Sequence, residues 1–191
     1  MKRLIPVAAL ILLSACRTES EVPEPVAMTS EAVGYYCQMN VLEHPGPKGQ
    51  VHLKDMLFPL FFSQARDAIA YQRMPEQEAE ITAIYVSDMA KAPSWEEPGT
   101  ENWVALEDAV FVVGSTRAGG MGASETVPFS DKARAEAFAA EYGGQVMTLA
   151  EIPDSAVLEA ADKPATTTTD AGPEDYAARL RALSQPAESK P

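Results

Sequence analysis

From Gly34 onward the apolar and polar positions run through two cycles of the same kind. In the first, "GYYCQM" (34–39) is rich in β-forming residues, "GPKG" (46–49) is a turn, and "QVHL" (50–53) alternates as a strand does. "FPLFFSQARDAIAYQRM" (58–74) places aromatic and aliphatic residues at helical spacing, and "AEITAIYVSDM" (79–89) predicts a strand. A loop with Pro and Trp, "SWEEPGTENW", leads into the second cycle. There "ALEDAVFVVGS" (105–115) and "TVPF" (126–129) are strands on either side of the Gly-rich "TRAGGMGASE". "SDKARAEAFAAEYGG" (130–144) is a helix with Ser130 as N-cap and Gly143 or Gly144 at its stop, and "QVMTLAEI" (145–152) closes the cycle as a strand. The predicted fold is α+β: two β-β-α-β modules in tandem, over 34–90 and 91–152.

Both ends depart from this pattern. Residues 1–15 combine Lys2 and Arg3 with an apolar run from Leu4 to Leu13, too short to span a bilayer, and read as a secretion signal. The following "LSAC" resembles the lipobox of bacterial lipoproteins, with Cys16 as the lipid-bearing first residue of the mature chain. Residues 16–33 are polar and contain Pro, and predict a flexible tether. Residues 153–191 predict a mostly disordered tail, in which only "PEDYAARLRAL" (173–183) has the pattern of a short helix.

Charge and cysteine count narrow the function. The formal charge is −13, and loss of Lys2 and Arg3 with the signal makes it −15, a balance that argues against nucleic acid as a partner. No polybasic patch is needed at a membrane if lipid holds the chain there. Of the two cysteines, Cys16 would be acylated and Cys37 is then the only thiol, so no internal disulfide can form.

Cys37 also lies close to the chain's other metal donors. If 34–39 is extended, Cys37 and Met39 project to one face, and a thiolate beside a thioether selects Cu(I) over harder ions. His44, just before the turn, and Met121, in the glycine loop "GGMG", are the candidates to complete the set. His52 falls inside a strand, and the remaining methionines and both tryptophans read as packing residues. The bland alternative is a buried thiol among core methionines.

"YYCQM" with "EHPGPKGQV", the later "GGMGASETVPF" and the lipobox together resemble the NosL family. The resemblance runs from about Cys16 to Ile152 and departs from the family at Gln38, where Cys-Gly-Met is common. It implies a Cu(I)-binding, lipid-anchored chaperone without enzymatic activity, on the periplasmic side of a bacterial membrane. It implies delivery of copper for the catalytic cluster of nitrous oxide reductase, with the apo-reductase or its membrane ABC-type maturation complex as partner. It also implies tandem β-β-α-β modules, similar to organomercurial lyase, whose chemistry is not carried over because it employs a pair of cysteines. Arg17 is not the aspartate that signals inner-membrane retention, which leaves the outer membrane open. Two other functions compete: a single-cysteine thiol redox protein, which wants cationic groups around Cys37, and a structural or adaptor lipoprotein, which leaves the sulfur donors unexplained.

Overall fold

A computed structural model describes residues 22–159. The signal segment, Cys16, the first part of the expected tether and everything after Glu159, including the helix expected at 173–183, lie outside the described residues.

Two β-β-α-β units follow one another, as the pattern predicts. The first is β1 (Gly49–Leu53), β2 (Leu60–Phe62), α1 (Ala65–Arg73) and β3 (Ile81–Ser87). After β4 (Trp103–Ala105) the second is β5 (Val110–Ala118), β6 (Ser124–Phe129), α2 (Lys132–Tyr142) and β7 (Gln145–Thr148), followed by α3 (Asp154–Leu158). The named strands pair only antiparallel; the sheets have the orders β2-β1-β3-β4 and β6-β5-β7. At Phe111 and Val112 the central strand β5 is buried on both faces. Phe111 packs into the core that α1 shares with the first sheet, while Val112 faces α2 with Val127, Phe129 and Ala135.

The first module is assembled differently from its reading in sequence. Residues 34–39 are a turn and not a strand, so the first strand is β1. The helix expected from Phe58 starts only after Gln64, and its first residues are β2. Pro59 cannot donate a backbone bond to a preceding turn, and Leu60-Phe61-Phe62 pair with Val51, Gln50 and Gly49, where aromatic side chains suit a pleated surface. In the second module the cap of α2 is Asp131, whose carboxylate accepts from the Arg134 amide, and Ser130 bonds to Asp88 instead.

Both expected flexible ends carry structure where they are described. Residues 22–33 cross the polar face of the first sheet as a strap. Gln50 accepts from the Val26 amide and donates to the Val26 carbonyl, Tyr85 donates to Pro23 O, and Met28 is buried. Beyond Pro153, α3 buries Val157, and Arg66 of α1 donates to the Val157 and Glu159 carbonyls.

Candidate functional site

Cys37 sits in a small loop whose stem is pinned to the first sheet. Val33 bridges Asn40, Gly34 N–H donates to Met39 O at 2.8 Å, and Tyr35 N–H donates to Phe61 O at 2.7 Å. The rings of Tyr35 and Tyr36 pack on Phe62, and Tyr35 also on Tyr71, which fixes the loop against β2 and α1. Tyr35 OH donates to Glu78 at 2.6 Å, a bond that pushes its phenol up to about 12. Gly34 must be glycine, because a Cβ there would strike Cys37 Sγ and Ser63 Oγ.

The tip of this loop is a tight turn, closed by Gln38 N–H donating to Gly34 O at 2.8 Å. Gln38 has φ 55, the left-handed region that favours glycine. Its amide side chain donates to Tyr35 O at 2.7 Å, a local bond that holds the turn without glycine. Cys37 and Met39 are therefore brought near each other by a turn and not by strand alternation. The Cys37 thiol is half-buried, 3.1 Å from Ser63 Oγ, while Met39 is 42% exposed.

Strain and side-chain bond nearly cancel at Gln38: the left-handed conformation costs about 1 kcal/mol and the hydrogen bond returns about as much. Gln38→Gly is expected to leave stability unchanged within about 0.5 kcal/mol, whereas Gln38→Val, β-branched and without the amide, costs about 2 kcal/mol. Urea unfolding midpoints of the two variants check both values.

Ser63 links the cysteine loop to the rest of the site. Its carbonyl lies 3.4 Å from Lys48 Nζ and also packs against Gly120, where a Cβ would clash with it and with His44 and Pro45. Gly120 thus lets the glycine loop lie directly on the His44 turn, and the next residue, Met121, is 44% exposed. The loop is held by Gln64, whose Oε1 accepts from the Met121 amide at 2.8 Å. His44 Nδ1 lies 3.1 Å from Gly120 O, which can only accept, so Nδ1 carries the proton. In the neutral ring Nε2 is then a lone-pair donor, and it is buried without a partner. The His44 ring also lines a cavity of about 370 Å³ with Met28, Leu42, Glu96 and Glu97, which neither Cys37 nor Met39 lines.

Two buried ionisable groups brace this arrangement, and periodicity signals neither. Lys48 is 1% exposed, and its ammonium donates to the carbonyls of His44, Pro45 and Gly46 at 2.6, 3.0 and 2.7 Å. Burial pulls it down to about 8, against the opposing charges of Glu125 and Cys37. Glu125 of β6 accepts from the Arg66 amide at 2.9 Å and so caps α1 from the other module. Burial pushes Glu125 up to about 8, and its Oε2 faces the same point over Gly119 as Gln64 Oε1.

Glu125 gives stability a pH dependence whose sign follows from that shift. The folded carboxyl keeps its proton to about 8, whereas the unfolded one loses it near 4.5, so its contribution is complete below 4.5 and is lost as pH rises through 8. Glu125→Gln keeps a neutral group of the same shape. Between pH 5 and pH 8 the wild type should lose on the order of 2 kcal/mol more stability than the variant. Denaturant titration of both proteins at the two pH values measures the difference.

Among the described residues no three His, Cys, Asp or Glu side chains form a group that would hold a metal ion. The structure brings Cys37 and Met39 into one turn and seats the loop of Met121 on His44 and Ser63, while His52 bonds Gln50 under the strap, away from these donors.

The NosL profile matches residues 25–157, which include every part of this arrangement. The chain belongs to the NosL family. It is 54% identical over 184 residues to a copper-binding lipoprotein NosL of Achromobacter cycloclastes, covering 94% of this chain and 93% of that one. A second copper-binding lipoprotein NosL, of Stutzerimonas stutzeri, is 32% identical over 152 residues, 78% of either chain. Among solved structures, the crystal structure of the copper chaperone NosL from Shewanella denitrificans superposes with a TM-score of 0.63 at 34% identity. It covers 68% of this chain and 95% of its own. Membership in the NosL family fits the tandem fold.

Proposed function

We propose that this NosL-family chain is a Cu(I) carrier, anchored through lipid on Cys16 to the periplasmic side of a bacterial membrane. It delivers copper for the catalytic cluster of nitrous oxide reductase, and passes it to the apo-reductase or to its membrane ABC-type maturation complex. The observation that carries this reading is the cysteine turn, with a half-buried thiol beside Ser63 and a largely exposed thioether two residues on.

Cargo transfer asks for a site that binds tightly yet stays open to an incoming ligand. Cys37 supplies the one anionic sulfur and Met39 the first thioether, while Met121 and the unpartnered Nε2 of His44 are the candidates to complete the set. Surface exposure of both methionines allows an acceptor's soft donor to reach the metal before Cys37 releases it. No turnover chemistry is required, and the names of the relatives support a binding role.

The softness of these donors sets the test. Under reducing, oxygen-free conditions the chain should take up one equivalent of Cu(I), and excess Zn(II) should not displace it. Equal competition by Zn(II) would contradict a sulfur-dominated site.

A further inference from the structure

Glu125 on β6 is 1% exposed, and only one of its carboxyl oxygens is engaged: Oε1 accepts from the Arg66 and Thr126 amides, both at 2.9 Å. Its Oε2 is buried without a partner among the described residues. Gln64 is buried too, and its orientation is fixed at both ends. Its Nε2 donates to the Asp67 carboxylate at 3.4 Å, and its Oε1 accepts from the Met121 amide at 2.8 Å. Oε2 of Glu125 and Oε1 of Gln64 both lie within 2.8 Å of the point that a Cβ on Gly119 would occupy. Two acceptor oxygens turned on one buried point repel each other unless a hydrogen stands between them. A carboxylic acid supplies that hydrogen, and a carboxylate cannot.

The shared point lies at the root of the glycine loop. Gly119 N–H donates to Ala123 O at 2.8 Å and Gly122 N–H to Gly119 O at 2.9 Å, so residues 119–123 form one closed turn. Two bonds tie that turn to the first module, from the Met121 amide to Gln64 and from His44 Nδ1 to Gly120 O. Gln64 follows Ser63, whose Oγ lies 3.1 Å from Cys37 Sγ. Whatever holds Gln64 therefore holds Met121 against the side of the molecule that carries Cys37.

We propose that Glu125 is a latch on Met121: as a carboxylic acid it donates Oε2–H to Gln64 Oε1 and keeps the loop seated, and as a carboxylate it repels Gln64 and releases the loop. Glu125 is thus a positioning residue for the cargo, a role that rests on the chain being a Cu(I) carrier. Burial pushes its carboxyl up to about 8; the Arg66 and Thr126 amides and Lys48 oppose that shift, and Asp67 on α1 adds to it. The Arg66 guanidinium is turned to the carbonyls of Ser124, Val157 and Glu159, and Cys37 faces Lys48. The latch is therefore closed below about pH 8 and opens above it.

Amide exchange at Met121 reads the latch without copper. The full chain, as wild type and as Glu125→Gln, is followed by NMR at pH 6 and pH 9. In the variant the side-chain amide donates to Gln64 at either pH. About nine in ten Glu125 side chains are ionised one pH unit above their titration, so protection of the wild-type Met121 amide, relative to the unstructured rate at each pH, should fall at least about tenfold. In the variant it should stay constant. Constant protection in the wild type, or an equal loss in the variant, overturns the latch. If the variant does not fold, the wild-type Glu125 carboxyl carbon shift decides, since a Met121 signal that fails to titrate with it also overturns the latch. Copper separates the latch from the carrier reading. In a chelator competition the ratio of wild-type to variant Cu(I) affinity should fall about tenfold from pH 6 to pH 9, a comparison in which pH effects common to both chains cancel. A constant ratio overturns the positioning role and leaves the carrier reading intact. No Cu(I) binding by either chain overturns the carrier reading, and the inference with it.

Discussion

Replacing Cys37 by serine is expected to lower Cu(I) affinity by about two orders of magnitude or more, because loss even of a residue that only supports a metal ligand costs 10–100-fold. The variant trades the one anionic sulfur for a hydroxyl that stays protonated at neutral pH and is hard where Cu(I) is soft. The fold should survive. The thiol touches Ser63 Oγ at 3.1 Å, and a serine at 37 can form a hydroxyl pair in the same place. A competition titration with a Cu(I) chelator, run beside a thermal melt, separates loss of binding from loss of structure. Unchanged affinity would place the metal elsewhere on the chain.

Lys48→Met should produce the second large effect, on stability and on the site together. The ammonium satisfies three carbonyls of the His44 turn and lies 3.4 Å from a fourth, on Ser63. Methionine matches the length of the side chain but donates nothing, so buried carbonyls lose their partners at a cost on the order of 3 kcal/mol. For a chain of this size that lowers the melting temperature by about 10 °C. The same change frees the turn that presents His44 and removes a positive charge facing Cys37, so copper affinity should fall as well, by less than in Cys37→Ser. A melt and a chelator competition on the variant report the two effects.

The repeated β-β-α-β order was legible because β3 and β5 carry long β-branched and aromatic runs, and because α2 is Ala-rich and bounded by a polar cap and by Gly143. The cysteine turn was not. Its aromatic residues read as a strand, but they serve to hold a loop against β2 and α1, and nothing in the sequence marks Gln38 as left-handed. The turn does hold Cys37 Sγ 3.9 Å from the Met39 carbonyl. Lys48 in "GPKG" has the composition of a solvated turn. Its burial depends on carbonyls contributed by the chain on both sides of β1 and is invisible to periodicity. The strap was hidden for a related reason: Gln50 and His52 alternate as solvent-facing residues should, yet they are buried because residues 22–33 lie across them. Glu125, which caps a helix in the other module, has no local signature at all.

Copper content of exported nitrous oxide reductase tests the proposed role most directly, because it asks for delivery and not for binding alone. The measurement uses a nitrous-oxide-respiring strain that lacks this gene, complemented with the wild-type chain or with Cys37→Ser and grown under copper limitation. With the wild type, the reductase should carry its full copper and activity. With Cys37→Ser it should be synthesised and exported but deficient in catalytic-cluster copper. Full metallation in the Cys37→Ser strain at low copper would contradict the proposed function, even if the purified chain binds Cu(I).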